Sequence, residues 1–136
     1  MKTIFYVAAR FILLAFLFTT PALAVSKSVD LSACKAYAEE ASSYLPQRLD
    51  AVTIWTNAEC LPGKNSPIAR FSYSLLIPKN QAYPKVIKDA VYEGLINSWC
   101  TTPELREFLN TVTIEVVYSL NNGVYITSLR VSKEMC

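Results

Sequence analysis

The chain has 136 residues, 52% of them hydrophobic, with 13 lysines and arginines against 11 aspartates and glutamates. It contains no histidine, which excludes histidine-based catalytic triads and removes the side chain that most often binds transition metals. Lys2 and Arg10 lie in the N-terminal segment described next, so the remaining charges balance and indicate no basic patch for nucleic acid or an anionic membrane.

Residues 1–24 have the composition of a secretory signal peptide. Lys2 and Arg10 precede an apolar run at residues 11–18, and Ala22-Leu23-Ala24 has the small-residue pattern of a cleavage site. The run is shorter than the roughly 20 residues that span a bilayer. The residue after the predicted cut is Val25 rather than a cysteine, so no lipid anchor is expected. The sequence therefore predicts a cleaved, exported protein that works in the periplasm or is secreted.

Four cysteines follow the signal peptide, within a single predicted domain at residues 25–136. An even number of cysteines in an exported chain is typical of disulfides, and none here has the C-x-x-C spacing of a zinc or redox site. We therefore expect no metal and no cofactor, and two disulfides among Cys34, Cys60, Cys100 and Cys136.

A helix is predicted to open the domain. Asp30 can cap its N-terminus, and apolar residues then recur at helical spacing, at Leu31, Cys34, Ala38, Ala41 and Leu45. Pro46 ends this pattern, because the residue before a proline disfavours helical geometry.

Two strands are predicted next. Residues 49–58 are rich in β-branched and aromatic side chains, and a strand there puts Val52 and Ile54 on one side and Trp55 on the other. Residues 68–77 alternate polar and apolar side chains, which predicts an inward face made of Phe71, Tyr73, Leu75 and Ile77.

Two helices are predicted after these strands. Pro84 suits a first helical position, and the helix that follows carries an apolar stripe at Ile87, Val91 and Leu95 on its way to Cys100. The second helix is short, with Thr102 as its cap and Pro103 at its first position. Its apolar face comprises Leu105, Phe108 and Leu109.

The last segment predicts a β-hairpin. Asn122-Gly123 is a strong turn signal between the apolar runs at residues 113–120 and 124–133. A two-residue turn would place four pairs on one face, namely Leu120–Tyr125, Tyr118–Thr127, Val116–Leu129 and Ile114–Val131. The same register sets Glu115 opposite Arg130 on the other face, where opposite charges are favourable.

The predicted order is α-β-β-α-α-β-β, which favours an α+β fold. We expect a four-stranded antiparallel sheet made of two hairpins, with the helices packed on one face. The second hairpin would bring Cys136 back toward the helix that ends near Cys100, while Cys34 and Cys60 lie together in the first half. Of the three possible connectivities we therefore favour Cys34–Cys60 and Cys100–Cys136.

Aromatic residues are the candidate partner-binding side chains, because tyrosine and tryptophan often anchor protein interfaces. Trp55 lies opposite Val52 and Ile54 on its strand, and Tyr83 lies in a proline-bounded loop between lysines. The candidate residues are thus Trp55, Lys79, Tyr83 and Lys85. The alternative for the loop is a solvated linker whose tyrosine packs on the edge of the sheet.

No set of residues predicts a catalytic site. Glu104 and Glu107 could share a helix face, but an exposed helix surface explains them as well. The serines have neither a histidine to activate them nor a G-x-S-x-G context. We therefore expect that the protein is not an enzyme.

The C-terminal half resembles small periplasmic proteins of Gram-negative bacteria, on the residues Cys100, Pro103, Arg106, Tyr118, Asn122, Gly123 and Cys136. This resemblance implies a periplasmic setting and a non-enzymatic role. The expected function is binding to another envelope or secreted protein, as an accessory factor of an envelope machine for pilus biogenesis or secretion. The alternative is an immunity protein or inhibitor that neutralises a toxin or a hydrolase.

Overall fold

The computed structural model describes residues 31–136, which form three helices, five strands and two short 3-10 turns. The predicted signal peptide and the predicted cap, Asp30, lie outside the described residues. The elements are α1 (Ser32–Ser42), β1 (Gln47–Arg48), β2 (Thr53–Leu61), β3 (Ile68–Leu75), α2 (Pro84–Thr101), α3 (Pro103–Phe108), β4 (Thr113–Leu120) and β5 (Tyr125–Val131). The 3-10 turns are Lys79–Gln81 and Lys133–Met135.

The sheet is mixed and has five strands in the order β1-β2-β3-β4-β5, so the predicted four-stranded antiparallel sheet is wrong in two respects. First, the two-residue strand β1 pairs with Ile54 and Trp55 of β2. Second, β3 and β4 pair in parallel, whereas the other neighbours are antiparallel.

The parallel pairing follows from the length of α2. This helix has 18 residues and is therefore about 27 Å long, and β3, with 8 residues, extends about 26 Å. Because α2 carries the chain back along the whole of β3, β4 starts beside the beginning of β3. The Thr113 N–H accordingly donates to the Pro67 carbonyl at 2.9 Å. Sequence patterns give the helix and the strands but not the direction in which the chain returns.

The three helices pack on one face of the sheet, around Phe71 of β3. The ring of Tyr37 in α1 lies 5.8 Å from that of Phe71, and the ring of Trp99 in α2 lies 6.3 Å from it. Phe108 of α3 closes the cluster, with its ring 5.4 Å from Tyr37 and 6.2 Å from Trp99. The core therefore lies between the helical layer and the inner face of the sheet, and the predicted packing of helices on one face is confirmed.

Trp55 belongs to this core, because it lies on the opposite face of its strand from Ile54, as predicted, and that face is the inner one. It pairs with Tyr73, and directly paired residues share a face of the sheet. Only 2% of Trp55 is exposed, whereas 42% of Val52 is exposed in the loop before the strand. The strand begins at Thr53 rather than Leu49, so Thr53 and Trp55 form the inner face.

The outer face carries a row of alternating charges across four strands. Glu59, Arg70, Glu115 and Arg130 pair in register from β2 to β5. The Arg70 Nε donates to Glu115 Oε2 at 2.8 Å, and the Arg130 Nε donates to Glu115 Oε1 at 3.4 Å. The predicted pairing of Glu115 with Arg130 is confirmed, and the hydrogen bond from Arg70 makes Glu115 the centre of the row.

The β4–β5 hairpin has the predicted register except at its tip. Tyr118–Thr127, Val116–Leu129 and Ile114–Val131 pair as expected, but Tyr125 pairs with Ser119 instead of Leu120. The turn has three residues rather than two, because the Gly123 N–H donates to the Leu120 carbonyl and Gly123 adopts a φ of 87°. A bulge after Tyr125 then restores the register, which leaves Ile126 and Thr127 both buried.

Both predicted disulfides are present, with Cα–Cα distances of 5.6 Å for Cys34–Cys60 and 5.3 Å for Cys100–Cys136. They lie at the end of the sheet where β3 and β4 begin. The paired residues Cys60, Ala69, Ile114 and Val131 cross the sheet there. We call this row and its two disulfides the stapled end.

Candidate functional site

An apolar groove lies at the other end of the sheet, where β2 begins and β3 and β4 end. Thr53, Leu75 and Leu120 are paired across the strands at this end. The groove encloses about 370 Å³ between the loop before β2 and the first turns of α2. Its lining comprises Asp50, Ala51, Val52, Thr53, Leu75, Ile77, Val86, Ile87, Ala90, Val91 and Tyr118.

The first wall of the groove, residues 50–53, is held by hydrogen bonds on both sides. The Asp50 Oδ1 accepts the N–H groups of Val52 and Thr53, each at 2.8 Å. The Arg48 Nη2 donates to the Ala51 carbonyl at 2.7 Å, and the Leu76 N–H donates to the Val52 carbonyl at 2.7 Å. A loop with this many local bonds is pre-organised, so little conformational entropy is lost when a ligand packs against it.

The second wall is the N-terminal half of α2, which carries apolar residues that no described residue buries. The buried positions of the helix are Val91, Leu95 and Trp99, so no residue before Val91 is buried. In the first half, Val86 is 62% exposed and Ala90 is also exposed. An apolar helical surface next to a pre-formed groove is typical of a docking site for another apolar segment.

The floor of the groove consists of Leu75, Ile77 and Tyr118. Burial of the Tyr118 hydroxyl raises its pKa to about 12, and the negative charge of Asp50 contributes to the rise. The Asp50 carboxylate therefore lies close enough to the floor of the groove to act on it electrostatically.

Two of the four candidate partner-binding residues, Tyr83 and Lys85, lie close in sequence to Val86 of the groove lining, although neither of them lines the groove. Tyr83 is 61% exposed and is the N-cap of α2, with an extended backbone. Lys85 is exposed on the first turn of the same helix and forms an ion pair with Asp89 at 2.6 Å.

The other two candidates are likewise not part of the groove lining. Lys79 is exposed in the 3-10 turn before α2. Trp55 packs between the rings of Phe71 and Tyr73, and its Nε1 donates to the Asn57 carbonyl at 3.0 Å. A side chain that is almost completely buried cannot contact a partner in this conformation, so Trp55 is a core residue.

Val52, Val86 and Asp50 were not identified from the sequence as site residues. Of these three, only Val86 has a signal in the sequence. Val86 and Ala90 lie beside the apolar stripe of Ile87 and Val91 on α2, and together they make an apolar surface wider than one contact with the sheet would bury. The loop residues gave no signal, because their exposure depends on where β2 begins.

The described residues hold no candidate metal centre. No group of three or more histidine, cysteine, aspartate or glutamate side chains is placed to hold a metal ion within residues 31–136. Among the same residues, no helix has the length and apolar character needed to cross a membrane.

No protein-family profile matches the chain, and no curated protein matches it by sequence. Solved structures do share its fold. A protein from Pseudomonas aeruginosa that is thought to be secreted aligns at 15% identity with a TM-score of 0.59, over 73% of this chain and 85% of its own. The type II secretion pilotin EpsS from Vibrio vulnificus aligns at 15% identity with a TM-score of 0.58, over 76% and 87%.

A second pilotin has the same architecture. The type II secretion pilotin AspS from Vibrio cholerae aligns at 19% identity with a TM-score of 0.54, over 76% of this chain and 88% of its own. At these identities the likeness establishes a common fold. The structural neighbours of this chain thus include two pilotins of type II secretion systems.

Proposed function

We propose that this protein is an exported accessory factor of a type II secretion apparatus, which acts by binding a segment of another envelope protein in its apolar groove. The observation that carries the proposal is the pre-formed groove of about 370 Å³ on a fold shared with two type II secretion pilotins. The predicted signal peptide supports a periplasmic location. Among the envelope machines considered from the sequence, these neighbours favour secretion over pilus biogenesis.

The shape and chemistry of the groove favour an amphipathic helix or a short apolar segment as the bound element. The helical layer covers the sheet around Phe71 but leaves Leu75 and Tyr118 at the floor of the groove. A helix-in-groove contact would bury the exposed apolar surfaces of Val52 and Val86. Binding, rather than catalysis, is the role that such a surface supports.

Site-specific photo-crosslinking in the cells that produce the protein tests this proposal. Benzoylphenylalanine is introduced at Val86, inside the groove, and at Tyr125 as the matched control. Tyr125, the first residue of β5, is equally exposed but is not part of the groove lining. It pairs with Ser119 of β4, and its hydroxyl hydrogen-bonds that of Ser128. We expect an adduct with a component of the secretion apparatus from position 86 and none from position 125.

Mass spectrometry of the adducts distinguishes the alternatives. An adduct with a toxin or hydrolase from position 86 would replace the accessory role by that of an immunity protein or inhibitor. Adducts of equal yield from both positions, or none from position 86, would contradict binding in the groove.

A further inference from the structure

We propose that the segment bound in the groove carries a cationic side chain, lysine or arginine, that pairs with Asp50. This inference rests on the proposed function and specifies the chemistry of the partner at the same site. It assigns Asp50 as the residue that selects among apolar segments.

Asp50 is the charged residue of the groove lining within the part of the chain that the structure describes. Its carboxylate is fixed, because Oδ1 accepts the N–H groups of Val52 and Thr53. In residues 31–136, both hydrogen bonds recorded for this carboxylate go to Oδ1, so Oδ2 has capacity to accept from a ligand. The neighbouring cation, Arg48, donates from Nε and Nη2 to the backbone carbonyls of Asp50 and Ala51 instead of the carboxylate.

Charged residues also lie on the α2 side of the groove. Asp89 and Glu93 follow Val86 and Ala90 by three positions each, so they are their neighbours on the helix surface. The ion pair with Lys85 offsets the charge of Asp89. By the same spacing Lys88 is a neighbour of Val91, so this side carries charges of both signs. A partner segment therefore meets Asp50 as the carboxylate within the lining of the groove.

The physical consequence is a preference among ligands that are otherwise equally apolar. When a segment covers the groove, it removes water from Asp50 and strengthens the interaction of the carboxylate with any nearby charge. A lysine or arginine offsets the desolvation of the carboxylate, and an acidic side chain adds repulsion. The groove thus discriminates by charge as well as by apolar surface.

Selection from a phage-displayed library of random 16-residue peptides tests the inference on the intact mature protein. Two targets are used in parallel, the natural protein and Asp50→Asn. Asparagine keeps an Oδ1 acceptor for Val52 and Thr53, so the loop is retained while the charge is removed. Val86→Glu serves as the control that shows whether selected peptides occupy the groove.

We expect the natural protein to enrich apolar peptides that contain lysine or arginine at a recurrent position, and Asp50→Asn to enrich apolar peptides without it. A selected peptide should lose about fivefold in affinity when Asp50→Asn is introduced, and its lysine-to-methionine version should lose none. Enrichment of apolar peptides without a cation by the natural protein would overturn the role of Asp50 and leave groove binding intact. If the Val86→Glu variant binds every selected peptide as tightly as the natural protein does, or if no peptide is enriched, the proposed function itself fails.

Discussion

The two ends of the sheet are built from similar apolar residues but differ in how these are covered. At the stapled end, Ile114 and Val131 are 0% exposed, and two disulfides tie α1 and the C-terminus to the adjoining strand and helix. At the groove end, Val52 and Val86 are 42% and 62% exposed, and α2 has no buried residue before Val91.

This difference separates stability from binding within one small domain. Covalent bonds and complete burial stabilise the stapled end, so the groove end can keep exposed apolar surface without loss of the fold. Helix α2 shows the separation most directly. Near its C-terminal end Trp99 is buried in the core and Cys100 forms a disulfide, whereas its first turns form a wall of the groove. Substitutions at the two ends should therefore have different consequences.

The largest effect is expected at the stapled end. Cys100→Ser or Cys136→Ser should lower the free energy of unfolding by roughly 3–4 kcal/mol, because the bridge closes a loop with a sequence separation of 36. The Cys100→Ser/Cys136→Ser double variant should lose no more than either single variant, since each removes the same bond. Urea unfolding measures these losses.

Cys34→Ser provides the control, because it breaks the other bridge. Its loss should add to that of Cys100→Ser, since the two bonds are separate. If the losses in unfolding free energy caused by Cys100→Ser and Cys136→Ser add up in the double variant, the Cys100–Cys136 pairing is contradicted.

A smaller, pH-dependent effect is expected at the floor of the groove. Burial and then the charge of Asp50 raise the pKa of Tyr118 from 10.0 to about 12. The unfolded state therefore ionises first as the pH rises, and stability that is present below pH 10 is lost between pH 10 and about 12. Tyr118→Phe should remove this contribution.

The measurement is the free energy of unfolding at pH 8 and pH 11 for the natural protein and for Tyr118→Phe. The natural protein should lose about 1.4 kcal/mol more than the variant over this interval. Equal losses in the two proteins would show that the hydroxyl ionises as it does in the unfolded chain.

The smallest effect on stability is expected at the rim of the groove. Tyr83→Ala should change the free energy of unfolding by less than about 0.5 kcal/mol, because the side chain is exposed, yet it should weaken binding of groove-selected peptides. Tyr92→Ala is the matched control, an exposed tyrosine within α2 that follows the last helix residue of the groove lining, Val91. A large loss of stability in Tyr83→Ala, or equal loss of binding in both variants, would contradict a role for Tyr83 at the groove.

Local patterns predicted much of the fold correctly. Helix α2 begins at Pro84 as the sequence indicates, and β3 alternates with Phe71, Tyr73 and Leu75 inward. The candidate site was less accessible to prediction. Tyr83 and Lys85 are exposed at the start of α2, near Val86 of the groove lining in sequence, but Trp55 lies in the core because the inner face of β2 is set by its pairing with β3.

The amino-acid sequence by itself determined the order of the helices and of strands β2 to β5, the register of most of the β4–β5 hairpin and the two disulfides. These depend on periodicity, turn chemistry and the return of a short hairpin, which act over short distances along the chain. Only the tertiary structure decided the parallel pairing of β3 with β4, the burial of Trp55 and the groove beside Asp50 and Val86. The parallel pairing and the groove depend on where the two ends of α2 lie against the sheet, and the burial of Trp55 depends on the pairing of β2 with β3. All three are fixed by long-range packing.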